Sequence, residues 1–283
     1  MVPSMRISGT RGAQGPGRRE VQVCAPGAVR KRVLLNAVLS SPDAVRELGP
    51  GLYTAFPQDA GAAPYDRRAI VYDAVVRWSI YHRIFWGTST LAYRRFGRAA
   101  LDAAGAGRFA EIGCGSLLFT AQMYRDGQSA SVTLVDRSIQ MLRRAVTRLG
   151  SGGPDGTDAV VALHADAAAV PVHAGIFSSI LSLNLLHVEC DRTAIVTEFS
   201  RLLIPGRGRL FVSSLIRSGR WSDAYLTMLH RAGECGPPQT LDELCETVAG
   251  RWGVVESTRV EGNMSFLVVR HAGSHRSPDD CAH

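Results

Sequence analysis

Lysine is nearly absent: Lys31 is the only one in 283 residues, so arginine carries almost all of the positive charge. With abundant Ala and Gly, this reflects a GC-rich coding sequence more than a mechanism. Six cysteines (Cys24, Cys114, Cys190, Cys235, Cys245 and Cys281) are scattered without a Cys-x-x-Cys or a His-Cys cluster. They offer neither a metal site nor a disulfide framework and favour a reducing compartment. No apolar run approaches the ~18 residues that a membrane span needs, and no apolar stretch follows the basic N-terminus as it would in a secretory leader. The expected location is cytoplasmic. Basic charge is also missing where a nucleic-acid surface would need it. The formal net charge is +7, but residues 1–32, with Arg6, Arg11, Arg18, Arg19, Arg30, Lys31 and Arg32 against Glu20 alone, hold +6 of it and leave +1 for the rest. A body so close to neutral lacks the sustained field of a phosphate-tracking surface. The arm reads as a solvated tail or an over-extended start, or else as an arginine-rich organelle address.

What remains is globular: 46% hydrophobic and 20% charged, enough for one α/β domain with appendages. Residues 1–30 are rich in Gly, Pro and Arg and read as disordered. From Val29 to Leu48 apolar residues recur at helical spacing, with a break at Ser41-Pro42-Asp43, and Pro50-Gly51 marks a loop. An aromatic-dense stretch, Trp78 to Gly87, reads as a helix closing an apolar pocket. Strands and helices then alternate. The strands are expected at Phe109 to Ile112, Ser131 to Asp136, Ala159 to Leu163, Phe177 to Leu183 and Arg209 to Ser214. Between them, Ser138 opens a helix that buries Met141, Leu142, Ala145 and Leu149, and Asp191 caps another that runs to about Leu203. A helix within 216–238, a capping box at Thr240-Leu241-Asp242-Glu243 and a hairpin joined by Glu261-Gly262-Asn263 complete the chain.

The stretch from Phe109 to Thr120 organises this pattern. A short apolar run holding Glu111 passes through Gly113 and Gly115 and continues as the expected start of a helix reaching to about Arg125. Glycine adopts positive φ without strain and lets a ligand lie against the backbone. A helix opening there would aim its free amides at a carboxylate or a phosphate. Five strand-helix units imply a parallel sheet, with ligands bound at the strands' carboxyl ends where the strand order reverses.

The Glu-x-Gly-x-Gly pattern resembles the cofactor loop of class I S-adenosylmethionine-dependent methyltransferases. Leu117 stands where many members have a third glycine. Tyr65-Asp66-Arg67-Arg68-Ala69-Ile70-Val71-Tyr72-Asp73, some forty residues earlier, resembles the N-terminal signature of ubiquinone/menaquinone-type C-methyltransferases and their small-molecule relatives. The resemblance implies an α/β, Rossmann-like methyltransferase fold: a mostly parallel seven-stranded sheet, an antiparallel C-terminal hairpin and a helical lid. The implied divisions are an arm at 1–30, N-terminal helices forming part of the lid at 31–105, an S-adenosylmethionine-binding methyltransferase domain at 106–271 with a cap insertion at 216–238, and a tail at 272–283.

The cofactor it implies is S-adenosyl-L-methionine, with S-adenosyl-L-homocysteine as product. Glu111, Gly113 and Gly115 would hold its methionine part. Asp136, with Arg137 beside it, ends the second strand where a ribose would lie; an acid at a helix start can also serve only the dipole. Asp166 would accept from the adenine amino group, with Ala165 and Ala167 along the base edge, and Asn184 would face the methyl donor. Tyr65 and Tyr72 share a helix face, either over the sulfonium or as plain packing.

Transfer from a sulfonium needs alignment and exclusion of water more than a universal catalytic group. His187 is the candidate base, or a packed and hydrogen-bonded histidine. Tyr81, Trp86, Tyr225 and His230 are the candidate substrate contacts, placed by the aromatic lid. Such a lid suits an apolar or aromatic small molecule, with no nucleic acid or metal, in a monomer or homodimer. A nicotinamide dehydrogenase shares the glycine turn and the acid after it. The short-chain type would need a Tyr-x-x-x-Lys couple, and the only lysine is Lys31, near the N-terminus. A protein of this fold that binds the cofactor without methylating, such as a regulatory subunit or a cyclase, is the other alternative.

Overall fold

In the computed structural model, residues 26–57, 87–150, 159–219 and 222–273 are described. Helix α1 (Pro26–Asn36) and a 3-10 turn (Pro42–Ala44) lead into strands β1 (Arg46–Gly49) and β2 (Leu52–Thr54). After α2 (Thr90–Ala104) come β3 (Arg108–Ile112), α3 (Ala121–Arg125), β4 (Ser131–Asp136), α4 (Ile139–Leu149) and β5 (Val160–His164). Then follow β6 (Ser179–Leu183), α5 (Arg192–Leu202), β7 (Arg209–Leu215), α6 (Ser222–Arg231), α7 (Leu241–Ala249), β8 (Gly253–Glu261) and β9 (Met264–His271). The sheet order is β1-β2-β5-β4-β3-β6-β7-β9-β8. β2, β5, β4, β3, β6 and β7 run parallel to one another, β1 pairs antiparallel with β2, and β9 pairs antiparallel with β7 and β8. The chain builds outward from β3 through β4 to β5 on one side, then returns to β6 and β7 on the other. The order therefore reverses between β3 and β6, and a ligand site at their carboxyl ends is the expected consequence.

Two-residue periodicity divides the sheet between two cores. On β3, Ala110 and Ile112 face the cluster built with Leu35 of α1, Phe199 and Leu202 of α5 and Leu244 of α7. Phe109 faces the opposite cluster, with Tyr93 and Phe96 of α2 and Leu142 and Ala145 of α4. Glu111 shares the face of Phe109 and is the acid that this alternation drives into the interior, 2% exposed.

The capping signals operate as the sequence indicates. Ser138 accepts from the Met141 amide, Asp191 accepts from the Ala194 amide, and Thr240 with Glu243 forms a reciprocal capping box. Three expectations are corrected. The seven expected strands are joined by two more, because residues 46–54 form a hairpin rather than helix and loop. Leu52, Tyr53 and Thr54 are all buried where β2 extends the sheet beside β5. The first helix begins at Pro26, inside the stretch read as disordered. The turn after β3 does not open directly into helix: Gly113, Gly115 and Leu117 all take positive φ, and α3 starts only at Ala121. The described part of 31–105 supplies sheet edge and a core-covering helix, and residues 58–86, on which the lid was read, lie outside the described residues.

Candidate functional site

A cavity of about 370 Å³ lies at the carboxyl ends of β3, β4, β5 and β6, within the ~300–1,000 Å³ typical of small-ligand sites. Its first wall is the turn 113–120. Gly113 (φ 70°) and Gly115 (φ 54°) occupy left-handed backbone, and a Cβ on Gly113 would come within 3.0 Å of the Leu185 side chain opposite. Leu117 takes φ 57° without that freedom. It is 1% exposed within the second core, so burial offsets the strain.

Asp136 fastens this wall. Its carboxylate accepts from the Gly115 amide at 2.7 Å and from the Ser138 amide at 2.8 Å, so it joins the turn to the start of α4 while lining the cavity. Glu111 lines the cavity floor and accepts hydrogen bonds from the hydroxyls of Thr120 and Tyr124. Burial raises its carboxyl from 4.5 to about 7, against those two bonds and with a smaller contribution from Asp136. Asp166 accepts from the Ala168 amide and faces the Arg137 guanidinium at 3.9 Å. Ala167 lines the cavity, whereas Ala165, 1% exposed, is buried in the first core.

The second wall is the loop after β6. Asn184 (φ 59°) lines the cavity and its Oδ1 accepts from the Ser213 hydroxyl. Leu185, Val188 and Glu189 complete the wall. Arg192, 9% exposed, donates to the carbonyls of Leu186 and Pro237, both at 2.7 Å, and the Gly236 amide donates to the His187 carbonyl. This loop and the segment after α6 are thereby tied together.

His187 is not among the cavity-lining residues. Its Nδ1 accepts from the Leu215 amide, and burial, with Arg192 nearby, lowers its pKa to about 3. The imidazole is therefore neutral, with its Nδ1 lone pair engaged by the Leu215 amide. Tyr225 packs against the second core, and His230 is exposed with Nδ1 bonded to the Cys235 carbonyl. Neither lines the cavity. Tyr65, Tyr72, Tyr81 and Trp86 lie outside the described residues. Glu189, Val188 and Ile195 line the cavity although no motif marked them. Cys114 also lines the cavity, but burial and the neighbouring carboxylates push its thiol far up, so it acts as an apolar wall group.

These groups lie in the part of the chain where a known family is found. Residues 109–206 match the methyltransferase domain family. That segment, about a third of the chain, is similar to a methyltransferase domain. The ubiquinone biosynthesis O-methyltransferase of Xanthomonas oryzae pv. oryzae is 37% identical over 121 residues, which are 42% of this chain and 47% of that protein. The chain thus spans about half the length of the curated relatives it matches. Among solved structures, the geranyl diphosphate C-methyltransferase of Streptomyces coelicolor A3(2) superposes with a TM-score of 0.53 at 14% identity, covering 77% of this chain and 83% of its own. The [4+2]-cyclase SpnF gives 0.55 at 14%, covering 75% and 98%. These likenesses show the fold alone, which is the Rossmann-like one expected. The resembled class takes S-adenosyl-L-methionine, and the donor set fits that group: a buried carboxyl for an ammonium, acids after β4 and β5 for ribose hydroxyls and a base amino group, and apolar walls between them. Among the described residues, no group of His, Cys, Asp and Glu could hold a metal ion, and no helix is long and apolar enough to cross a membrane.

Proposed function

We propose that this protein transfers a methyl group from S-adenosyl-L-methionine to an apolar or aromatic small-molecule acceptor. The observation that carries this reading is the composition of the cavity at the β3/β6 reversal. Carboxylates stand at its polar ends, and Leu118, Phe119, Leu183, Leu185, Val188 and Ile195 supply apolar surface. Bound there, the cofactor supplies a methyl group already attached to a good leaving group, so the chain's task is to hold and align.

In this reading Glu111 meets the ammonium of the methionine part from the floor. Asp136 receives the ribose hydroxyls and exchanges some of its bonding to the Gly115 and Ser138 amides. Asp166 accepts from the adenine amino group, with Ala167 and Arg137 beside the base. Asn184 is held toward the reacting end by Ser213. Leu185, packed onto Gly113, keeps water from that end. No histidine is among the described residues that line the cavity, and in this reading the protein's contribution is alignment. The relative from Xanthomonas oryzae is named for O-methylation in ubiquinone biosynthesis, and a phenolic acceptor of that kind suits an apolar cavity.

A second reading is a cofactor-binding protein of the same fold without transfer activity. The neutral, inward-turned His187 favours it, and SpnF is a cyclase of this fold. Calorimetry with S-adenosyl-L-methionine and S-adenosyl-L-homocysteine, beside a screen of phenolic and terpenoid acceptors for products heavier by one methylene, separates the two. Binding with methylated product supports transfer. Binding with no methylated product across the screen supports the second reading, and no binding of either ligand sinks both.

A further inference from the structure

The turn after β3 keeps few donors for a ligand. The amides of Gly113 and Cys114 both donate to the Val135 carbonyl, and the Gly115 amide donates to Asp136. Thr120 gives its hydroxyl proton to Glu111. Among the described residues, Arg137 is the one cation lining the cavity, and it stands beside Asp166 at the base end. The methionine part of an adenosyl cofactor carries a carboxylate as well as an ammonium, and a carboxylate removed from water needs donors of its own.

Ser213 lies on β7 opposite Leu183 and is fully buried. Alternation puts it on the face of Phe211 and Leu215, which is the face that Glu111 shares with Phe109. Its hydroxyl holds Asn184 at two points. The Asn184 backbone amide donates to Ser213 Oγ at 3.2 Å, and Oγ donates to Asn184 Oδ1 at 3.2 Å. This pairing sets the sense of the side-chain amide. Were the amide reversed, Nδ2 would donate to Oγ and the buried hydroxyl proton would have no acceptor among the described residues. With Oδ1 engaged, Nδ2 donates to no described residue and is left for the cavity that Asn184 lines. The next residue, Leu185, packs against Gly113, so Asn184 stands at the methionine end.

We infer that Asn184 Nδ2 donates to the carboxylate of the cofactor's methionine part, and that Ser213 is the positioning residue that keeps the amide turned donor-first. This rests on the reading of the cavity as an adenosyl cofactor site. A hydrogen bond to a charged acceptor is about twice as strong as a neutral one. An amide free to turn would as readily present Oδ1, which repels a carboxylate. Asn184 and Ser213 thus select for the amino-acid end of the ligand, while Glu111 faces its ammonium.

The test compares S-adenosyl-L-homocysteine with its decarboxylated analogue, which keeps the adenosine, thioether and ammonium. Dissociation constants are measured by calorimetry on the full chain at pH 8, for the wild type, Asn184→Asp and Ser213→Ala. Aspartate keeps an acceptor for Ser213 and tolerates left-handed backbone, so only the donor is lost. Asn184→Asp should weaken S-adenosyl-L-homocysteine about tenfold and leave the analogue within about twofold. Ser213→Ala should weaken S-adenosyl-L-homocysteine about threefold and leave the analogue unchanged. A purely structural role would weaken both ligands alike. Equal losses on both ligands, or none on either, overturn the inference while leaving the cofactor reading intact. A Ser213→Ala that binds as the wild type does, beside a sensitive Asn184→Asp, overturns the positioning role. A wild type that binds neither ligand overturns the cofactor reading and this inference with it.

Discussion

The two walls of the cavity are built by different means. The turn after β3 is shaped by its own backbone: three positive-φ residues within five positions, closed by an acid 21 residues ahead. The loop after β6 is shaped by partners far away in sequence: Ser213 for Asn184, Leu215 for His187, and Pro237 through Arg192. A wall of the first kind is written locally and can be recognised as a motif. A wall of the second kind has no local signature, and there the residue types that suggest chemistry, His187 above all, were aimed by the fold at something else.

The largest expected effect breaks the second wall. Arg192→Ala leaves the Leu186 and Pro237 carbonyls without their donor in a buried setting and should destabilise the protein by about 3 kcal/mol in urea melts. Arg192→Lys, which keeps charge but not the two-point reach, should recover only part of this. If Arg192→Ala costs under about 1 kcal/mol, the loop is held by something other than these contacts.

Next is the floor of the first wall. The Glu111 carboxyl titrates at 4.5 when unfolded and about 7 when folded, so the native state binds its proton more tightly. Stability should fall as pH rises from 4.5 through 7 and level off above, by roughly 2 kcal/mol between pH 5 and 7. Glu111→Gln should remove that part of the pH dependence. An ammonium needs the ionised form, so cofactor affinity should rise over the same window; an affinity independent of pH would separate Glu111 from the ligand.

Leu117→Gly sets strain against burial. Relieving left-handed strain returns ~1–2 kcal/mol, while removing a fully buried leucine side chain loses ~3–5 kcal/mol. Thermal melts should show a net loss of about 2 kcal/mol. A gain instead would mean that the turn, and not the core beneath it, decides this position.

The smallest effect is at His187. Asn can present an acceptor to the Leu215 amide, so His187→Asn should lower stability by less than about 1 kcal/mol and leave S-adenosyl-L-homocysteine affinity within about twofold. A large loss of methyl transfer with unchanged ligand affinity would restore His187 as a catalytic group.

Much of the molecule was legible in residue order. The five parallel strands, the caps at Ser138, Asp191 and Thr240, and the closing hairpin follow from periodicity and turn chemistry over a few neighbours. The acids of the first three parallel strands were legible too, because a strand's end and the direction of its side chains follow from counting by two. The β1–β2 hairpin was not, since three residues of strand have too little pattern to compete with a helical reading until β5 offers its edge. Leu117 stands where many members of the resembled family have glycine, yet its own residue type gave no reason to expect a left-handed backbone, because that conformation is sustained by the buried surface around it.

By itself, then, the sequence determined the alternation of strands and helices, the glycine turn and the carboxylates Glu111, Asp136 and Asp166 that face the cavity. These depend on covalent geometry and on contacts between close neighbours. Only the tertiary structure decided that His187 turns away, that Ala165 belongs to the core and that Glu189 enters the cavity. Those outcomes depend on which distant donors and apolar surfaces arrive beside each side chain, and only the packed sheet brings them together.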